Sequence, residues 1–474
     1  MSESIREGSG GRGAAGWLRL GVRAMQGRGG DPTDGPVADA IVLLAVPMVM
    51  EKVMESIFAL VDIFFVSRLG AAAMAGVALT EAVITLVYTL AMGLGIGVTA
   101  MVARRIGERD PDAAGAATGQ AVLLAAVAAA VIAIAGTANA PAILRLMGGS
   151  GAVVRAGGPY ATVILSTNGV ILLIVLLNAG FRGAGDASTA MRVLWLANGL
   201  NILLDPLLIV GIGPFPELGV TGAAVATSLG RGAGVAVQLA LLLRGSGRLR
   251  LHSRHLALQR SVMRRLVRLS ASGTLQVFIS TASWIGLVRI LAGFGPEALA
   301  GYTIAIRVVL FALLPAWGLS NAAATLVGQG LGAGDPDRAE RSVRIAVRLN
   351  VAFLGLIGAV FVLGAPSIVA CFDGDAATTG YAVHCLRIVS SGFLFYAWGM
   401  VLTQSFNGAG DTWTPTVLNL LCFWLWEIPL AYGLARIGGL GPDGVFAAIT
   451  VAYATLAVLS ALVFRRGRWK LAVA

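Results

Sequence analysis

Residues 181–186 read Phe-Arg-Gly-Ala-Gly-Asp, and residues 406–411 read Phe-Asn-Gly-Ala-Gly-Asp. The two copies are 225 positions apart. Two other motifs recur at the same separation: Gly107 with Asp110-Pro-Asp112 returns as Gly332 with Asp335-Pro-Asp337, and Gly70 with Ala75-Gly76 returns as Gly295 with Ala300-Gly301. Three motifs at one separation indicate that the chain contains two copies of one structural unit.

The composition indicates a membrane protein. Of 474 residues, 57% are hydrophobic and 12% are charged, and the mean hydropathy is +0.83. A soluble domain usually carries about a quarter charged residues. Apolar runs such as 121–135 and 351–365 lie within stretches of the ~20 residues that a bilayer-spanning helix needs. A large soluble enzyme could not bury this much apolar surface.

Apolar runs between polar or Gly/Pro positions predict about twelve membrane-spanning helices, six in each copy. The predicted spans are 38–66, 71–100, 113–139, 153–180, 189–212, 219–243, 267–293, 297–329, 340–364, 379–405, 413–436 and 443–464. The predicted organisation is a disordered N-terminal tail (1–37), a first lobe (38–243), a basic connector (244–266), a second lobe (267–464) and a basic C-terminal tail (465–474). The fold class is an all-α polytopic membrane protein.

The number of helices in each copy determines how the copies are related. An even number of spans makes the two copies parallel, with an axis along the membrane normal. Two such bundles that face one another leave a central cleft, which can open alternately to either side. This architecture predicts a transporter.

Arginine is concentrated in alternate loops. The connector from Arg244 to Arg268 carries eight arginines, and both tails are basic. The loops on the opposite side hold few basic residues, namely Arg68, Arg145, Arg155, Arg387 and Arg436. The positive-inside rule therefore predicts that both termini lie in the cytoplasm, with the chain in the inner (plasma) membrane. These loops account for the net charge of +11 without a nucleic-acid partner.

Several acidic residues lie within the predicted spans, where charges usually face a cavity or a partner. Glu51, Glu55 and Asp62 fall within a ~40° arc of the first span, a pattern typical of a cation or proton path. For Glu51 the alternative is a membrane-edge position with its side chain reaching water. Asn201 and Asp205 share a face of the fifth span, and Asn201 alone could serve to join helices.

Asp62 and Asp205 are the candidate coupling residues. Two desolvated carboxylates near each other do not both stay ionised without a cation. One would hold a proton, or both would ligate sodium together with Asn and Thr oxygens. Oxygen ligands suit a hard cation rather than zinc or copper. We therefore expect H⁺ or Na⁺ as the coupling ion and no other cofactor, with Glu55 as a candidate relay.

Other features of the spans concern helix shape and packing. Pro47 removes a backbone hydrogen bond from the first span and is a candidate hinge. Gly93, Gly95 and Gly97 permit close helix approach. Glu81 has no obvious partner, which favours a structural role.

The motifs resemble those of the multidrug and toxic compound extrusion (MATE) family. The resemblance covers roughly residues 38 to 465. It is carried by Pro47 with the segment 61–70 (Val-Asp-Ile-Phe-Phe-Val-Ser-Arg-Leu-Gly), by 181–186, by Asn201-Ile-Leu-Leu-Asp205-Pro and by Gly222-Ala-Ala-Val-Ala-Thr227. Within the family, the chain resembles the prokaryotic DNA-damage-inducible branch.

This resemblance implies two six-helix lobes in a V shape, which exchange Na⁺ or H⁺ for cationic, amphiphilic compounds. It also implies a coupling site in the first lobe, built from Asp62, Asn201 and Asp205, with Thr227 as a weaker member. If sodium is the ion, Asp62, Asn201 and Asp205 would ligate it. Pro47 would be the kink of the first helix.

The second lobe departs from the family pattern. Other MATE branches carry a glutamate in the seventh helix, where this chain has Ser280, and the repeat places Leu287 opposite Asp62. Glu427 is the clear intramembrane acid of that lobe, and it is either a substrate contact or a helix-packing feature. Trp284 and Phe278 are further candidate substrate contacts, although lipid-facing or packing roles are more common for such aromatics.

Two other functions compete with antiport. A lipid-linked precursor flippase of the same superfamily would favour a strongly cationic cavity. An integral-membrane enzyme would need catalytic acids at a membrane edge, but Asp110, Asp112 and Asp186 recur in the second copy, which fits helix entry better. We therefore expect a transporter that is not an enzyme, acts as a monomer, and meets small organic molecules and membrane lipids.

Overall fold

The computed structural model describes residues 14–28, 35–245, 247–372 and 374–472, which form helices joined by short loops. A short helix, α1 (Ala14–Met25), precedes the first lobe. That lobe contains α2 (Val37–Ser67), α3 (Ala71–Gly107), α4 (Pro111–Leu146), α5 (Gly151–Ser166), α6 (Asn168–Gly183), α7 (Ala187–Ile209) and α8 (Val220–Arg244).

The second lobe begins with α9 (Arg260–Leu291), α10 (Pro296–Gly332), α11 (Pro336–Val369), α12 (Ala376–Ser391) and α13 (Phe393–Ala409). It ends with α14 (Trp413–Asn419), α15 (Ile428–Tyr432) and α16 (Pro442–Arg465), with π-helical turns at Leu420–Glu427 and Gly433–Ile437. Short 3₁₀ turns lie at Ser253–Leu256, Ala292–Phe294 and Arg468–Leu471.

The predicted number of spans is confirmed. In the described part of the chain, nine helical segments are long and apolar enough to cross a membrane, and two bent helix pairs bring the number to eleven. The twelfth is α2, whose 31 residues suffice in length although it carries four charged residues between Glu51 and Asp62.

Two predicted spans are each broken into a helix pair, which the sequence analysis missed. The segment predicted at 153–180 forms α5 and α6 with a 45° bend, and that at 379–405 forms α12 and α13 with a 54° bend. At the first break the hydroxyls of Ser166 and Thr167 both donate to the carbonyl of Val163. Ser391 donates likewise to Ile388 at the second break. Such side-chain bonds to the preceding turn bend helices.

The recurring motifs lie at helix starts in both lobes. Asp110 accepts from the backbone of Ala113 at 2.9 Å, and Asp335 accepts from that of Arg338 at 2.8 Å. Asp186 caps α7 by accepting from the backbone of Thr189 at 3.1 Å, and Asp411, just before α14, accepts from that of Thr414 at 3.2 Å. The repeat therefore preserves N-caps, as expected for helix entry rather than for a single active site.

The described parts of both tails and of the connector lie at one end of the bundle, which we call the connector side. Arg192 at the start of α7 donates to the Met25 carbonyl, and Arg338 at the start of α11 donates to that of Gly35. Lys470 pairs with Glu340 at 2.6 Å. His255 of the connector, 1% exposed, bonds Asp112 of α4 at 2.9 Å. The tails and the connector are thus anchored to this side.

Parts of the tails differ from the prediction. The prediction of disorder for 1–37 is wrong at Ala14–Met25, which form α1 with buried Leu20 and Ala24; residues 1–13 and 29–34 lie outside the described residues. The C-terminal tail is docked, because Trp469 is buried and stacks on Phe464. The connector is shorter than predicted, since α9 starts at Arg260.

The two lobes meet in a seam of close contacts on the connector side. A Cβ on Gly93 would collide with Thr274 of α9, and one on Gly97 would lie 2.6 Å from the Ser270 hydroxyl. Near the loop, a Cβ on Gly107 would collide with the Gln329 carbonyl of α10. The predicted role of the α3 glycines in close helix approach is confirmed.

Candidate functional site

The first lobe contains a buried polar site between α7 and α8. Asp205 is fully buried, and neither of its carboxylate oxygens has a hydrogen-bond partner among the described residues. One turn earlier on α7, the Asn201 amide donates to the Thr227 hydroxyl of α8 at 3.0 Å. The Asn201 carbonyl oxygen is also buried without a partner in the described chain. Three buried oxygens therefore remain available for a proton or a cation.

Asp62 lies on α2, a third helix, which packs against α7. Asp62 is half-buried, and its charge interacts with that of Asp205. Of the predicted site residues, Asn201 bonds Thr227 directly, and the interaction between the charges of Asp62 and Asp205 connects α2 to the same region. Two carboxylates in a poorly hydrated site repel each other unless an ion lies between them.

Glu81 of α3 is connected to the same region. The Tyr160 hydroxyl donates to Glu81 at 3.1 Å, and the charge of Glu81 interacts with that of Asp62. Glu81, which has no obvious partner in the sequence, therefore has one in the structure. The contact joins positions 81 and 160, which periodicity within one helix does not reveal.

The other two acids of the α2 stripe form ion pairs. Glu51 accepts from Arg182 at 2.8 Å, and Lys52 donates to Glu55 at 2.6 Å. Glu51 and Lys52 are neighbours in the sequence, but each forms its ion pair with another residue. The α2 stripe of Glu51, Glu55 and Asp62 therefore does not consist of three unpaired acids. Of these three residues, Asp62 is the one without an ion pair in the described chain. Glu55 could act as a relay only after its pair with Lys52 opens.

The second lobe offers a different environment. Ser280, at the position where other branches carry glutamate, accepts from Asn419 at 2.9 Å. Glu427 is buried at the end of a π-helical turn, in a pocket that Trp284, Tyr302 and Tyr453 help to line. Trp284 lines the same pocket as Glu427, whereas Phe278 is 47% exposed and is not among the residues lining that pocket.

Pro47 lies inside α2, close to the interface between the lobes. Its side chain is buried, and a Cβ on Gly318 of α10 would lie 2.7 Å from the Val49 side chain. A change in the shape of α2 at this proline would therefore move a contact between the lobes.

Arg231 of α8 was missed by the sequence analysis. Its guanidinium carbon lies 5.8 Å from the Phe58 ring centre and 5.6 Å from that of Tyr88. The signal was present in the sequence, because a basic residue in the middle of an apolar span indicates a cavity as strongly as an acid does.

Two repeated six-helix lobes around polar membrane-embedded sites define a membrane transporter. The MatE family model matches residues 47–207 and 274–433, once in each lobe. The chain belongs to this family of transporters, and it is not an enzyme. Its relatives and structural neighbours support a small-molecule efflux function.

Similar proteins cover nearly the whole chain. A probable multidrug resistance protein NorM of Thermotoga maritima is 27% identical over 431 residues, which cover 91% of this chain and 92% of that protein. An FAD transporter of Shewanella oneidensis is 24% identical over 396 residues, covering 84% and 88%. A multidrug resistance MATE family transporter solved in an outward-facing conformation matches with a TM-score of 0.85 and 26% identity, covering 95% and 99%.

Proposed function

We propose that this protein exports organic, amphiphilic compounds from the cytoplasm across the inner membrane in exchange for H⁺ or Na⁺. The observation that carries the proposal is Asp205, fully buried with both carboxylate oxygens unpartnered in the described structure, beside the unpartnered oxygen of Asn201. Buried oxygens of this kind are stable when they hold a proton or a hard cation.

In this mechanism, Asp62 and Asp205 alternate between an occupied and an empty state. When the ion leaves, two carboxylates remain in a poorly hydrated site, and their repulsion favours a cationic partner. When an ion enters, it neutralises them and weakens the attraction for the substrate. Asn201 and Thr227 supply and orient further oxygens. Glu55 serves as a relay once its pair with Lys52 opens.

The seam between the lobes supports alternating access. Gly93, Gly97 and Gly107 allow α3 to pack directly on α9 and α10 at the connector side. We propose that this side faces the cytoplasm, as the arginine-rich loops favour, and that the seam closes the cleft on that side. The cycle would then require the seam to open, with α2 bending at Pro47.

Glu427 and Trp284 would contact the substrate in the second lobe rather than the coupling ion. Their pocket is lined by tyrosine and other aromatic side chains, and Ser280 replaces the acid that would make a second ion site. Aromatic walls with one carboxylate suit an amphiphilic cation.

The direct test uses the purified protein in lipid vesicles with an imposed H⁺ or Na⁺ gradient and a fluorescent amphiphilic cation. We expect uptake that depends on one of the two gradients and that stops when that gradient is collapsed. Uptake that needs neither gradient, or no uptake under either one, contradicts the proposal.

A further inference from the structure

Arg231 is a half-buried cation in the middle of α8, the twelfth residue of a 25-residue helix. In the described chain it makes no ion pair and no hydrogen bond, and its recorded contacts are with the rings of Phe58 and Tyr88. A guanidinium carries five N–H donors, and at membrane depth such a group is costly unless it has a partner.

Two of the neighbouring acids already have partners. Glu55 is paired with Lys52 at 2.6 Å, and Glu81 accepts from Tyr160 at 3.1 Å. The charge of Arg231 interacts with Glu55, Glu81 and Asp62, but none of them forms an ion pair with it in the described chain. Two other bases in this lobe, Lys52 and Arg182, do hold a carboxylate. The guanidinium of Arg231 therefore lies near aromatic rings, and its N–H donors have no hydrogen-bond partner in the described chain.

Aromatic contact alone does not satisfy this group. Rings attract the guanidinium through their faces but accept none of its in-plane hydrogen bonds. A planar guanidinium binds carboxylate and phosphate groups through paired N–H donors. Arg231, Phe58 and Tyr88 are each half-buried, so none of the three residues is fully enclosed by the protein.

We propose that Arg231 is the anion-binding group of a substrate site in the first lobe, and that this site accepts organic compounds with a carboxylate or phosphate on an aromatic body. This inference rests on the proposed export function and specifies its substrate class. Zwitterions fit best, because a cationic group can face Asp62 and Glu81 while the acidic group binds Arg231. Purely cationic compounds would leave Arg231 unpartnered.

The test compares pairs of compounds that differ in the acidic group alone. One pair is a xanthene dye with a free carboxylate and the methyl ester of the same dye. The other pair is flavin mononucleotide and riboflavin, which differ by one phosphate. Affinity is measured by fluorescence on the purified protein in nanodiscs without any gradient, and transport is measured in vesicles. The two pairs distinguish a carboxylate from a phosphate preference.

We expect Arg231→Gln to weaken binding of the acidic member of at least one pair about tenfold or more, and to leave its uncharged or esterified counterpart within about twofold. Arg231→Lys should restore part of the loss, because it restores the charge without the planar donors. Arg307→Gln is the control, since it removes an exposed arginine that is also the twelfth residue of its helix, α10. It should not discriminate within either pair.

Equal loss for both members of each pair, or no loss for any, would overturn the inference and make Arg231 an internal counter-ion. Failure of the export function is a separate result: wild-type vesicles would transport none of the compounds under either gradient. The binding comparison would still decide the role of Arg231 in that case.

Discussion

The Asn201 amide donates to the Thr227 hydroxyl across 3.0 Å and thereby joins α7 to α8 at the buried Asp205. The bond fixes the orientation of the Asn201 side chain, whose carbonyl oxygen has no partner in the described chain. Groups that orient a ligand residue commonly change ion affinity ten- to a hundredfold when they are removed. The hydrogen bond between Asn201 and Thr227 thus holds a residue of the proposed ion site in place.

Thr227→Val keeps the shape of the side chain but removes the acceptor for Asn201. We expect about a tenfold higher ion concentration for half-maximal transport, because the Asn201 oxygen is no longer held in place. The measurement is gradient-driven uptake over a range of Na⁺ concentration and pH. Ser228→Ala is the control, since Ser228 is the next residue of α8 and bonds Thr167 instead. An equal effect of both variants would remove Thr227 from the site.

The ion pair between Glu51 and Arg182 predicts a loss of stability. Glu51→Gln leaves the Arg182 charge in a largely buried place, and we expect unfolding to become easier by about 3 kcal/mol. The double variant Glu51→Gln with Arg182→Gln should recover part of this loss. Thermal unfolding of the detergent-purified variants gives both values. Additive losses would show that the two residues do not stabilise the fold together.

The interlobe seam predicts an effect of Gly107→Ala. Its new Cβ would collide with the Gln329 carbonyl, so the lobes should separate on the connector side. In a background without native cysteines, Ser270→Cys reports the change, and we expect faster labelling by a hydrophilic thiol reagent. Gly158→Ala is the control, because a Cβ added there would have no neighbouring atom within 4 Å. Unchanged labelling would show that the seam tolerates the methyl group.

Pro47→Ala restores a backbone hydrogen bond in α2. We expect normal expression and substrate binding but slower turnover, since α2 bends less easily next to its contact with α10. Turnover in vesicles, compared with substrate affinity in nanodiscs, separates the two effects. Pro141→Ala in α4 is the control for loss of a helix-internal proline. If turnover is unchanged, Pro47 has a packing role only.

Much of the fold follows from local sequence features. Apolar runs predicted the spans. The repeat predicted that helices of the first lobe have equivalents in the second; α3 and α10, for example, begin at Ala71 and Pro296, 225 positions apart. The bends after Ser166 and Ser391 were missed because the apolar runs continue through both breaks. Helix α1 was missed because it is short and rich in Gly and Arg.

The acidic residues of the site could be predicted from the sequence, whereas the residues that bind them were harder to predict. Asp62 and Asp205 stand out as charges in apolar spans. The partner of Glu51 is Arg182, 131 positions away, and that of Glu81 is Tyr160, 79 positions away. Such pairs depend on how helices pack, which periodicity along one helix does not determine. Arg231 shows that a basic residue within an apolar span can indicate a polar site just as an acidic residue does.

We propose that the coupling ion binds in the first lobe, at Asp62 and Asp205. Ion-driven uptake into vesicles by Asp62→Asn, Asp205→Asn and Glu427→Gln, each matched for expression and folding, tests this location. We expect both aspartate variants to fold but to lose gradient-driven transport, whereas Glu427→Gln stays coupled and changes substrate preference. Loss of coupling in Glu427→Gln together with normal transport by Asp62→Asn would instead place the ion site in the second lobe.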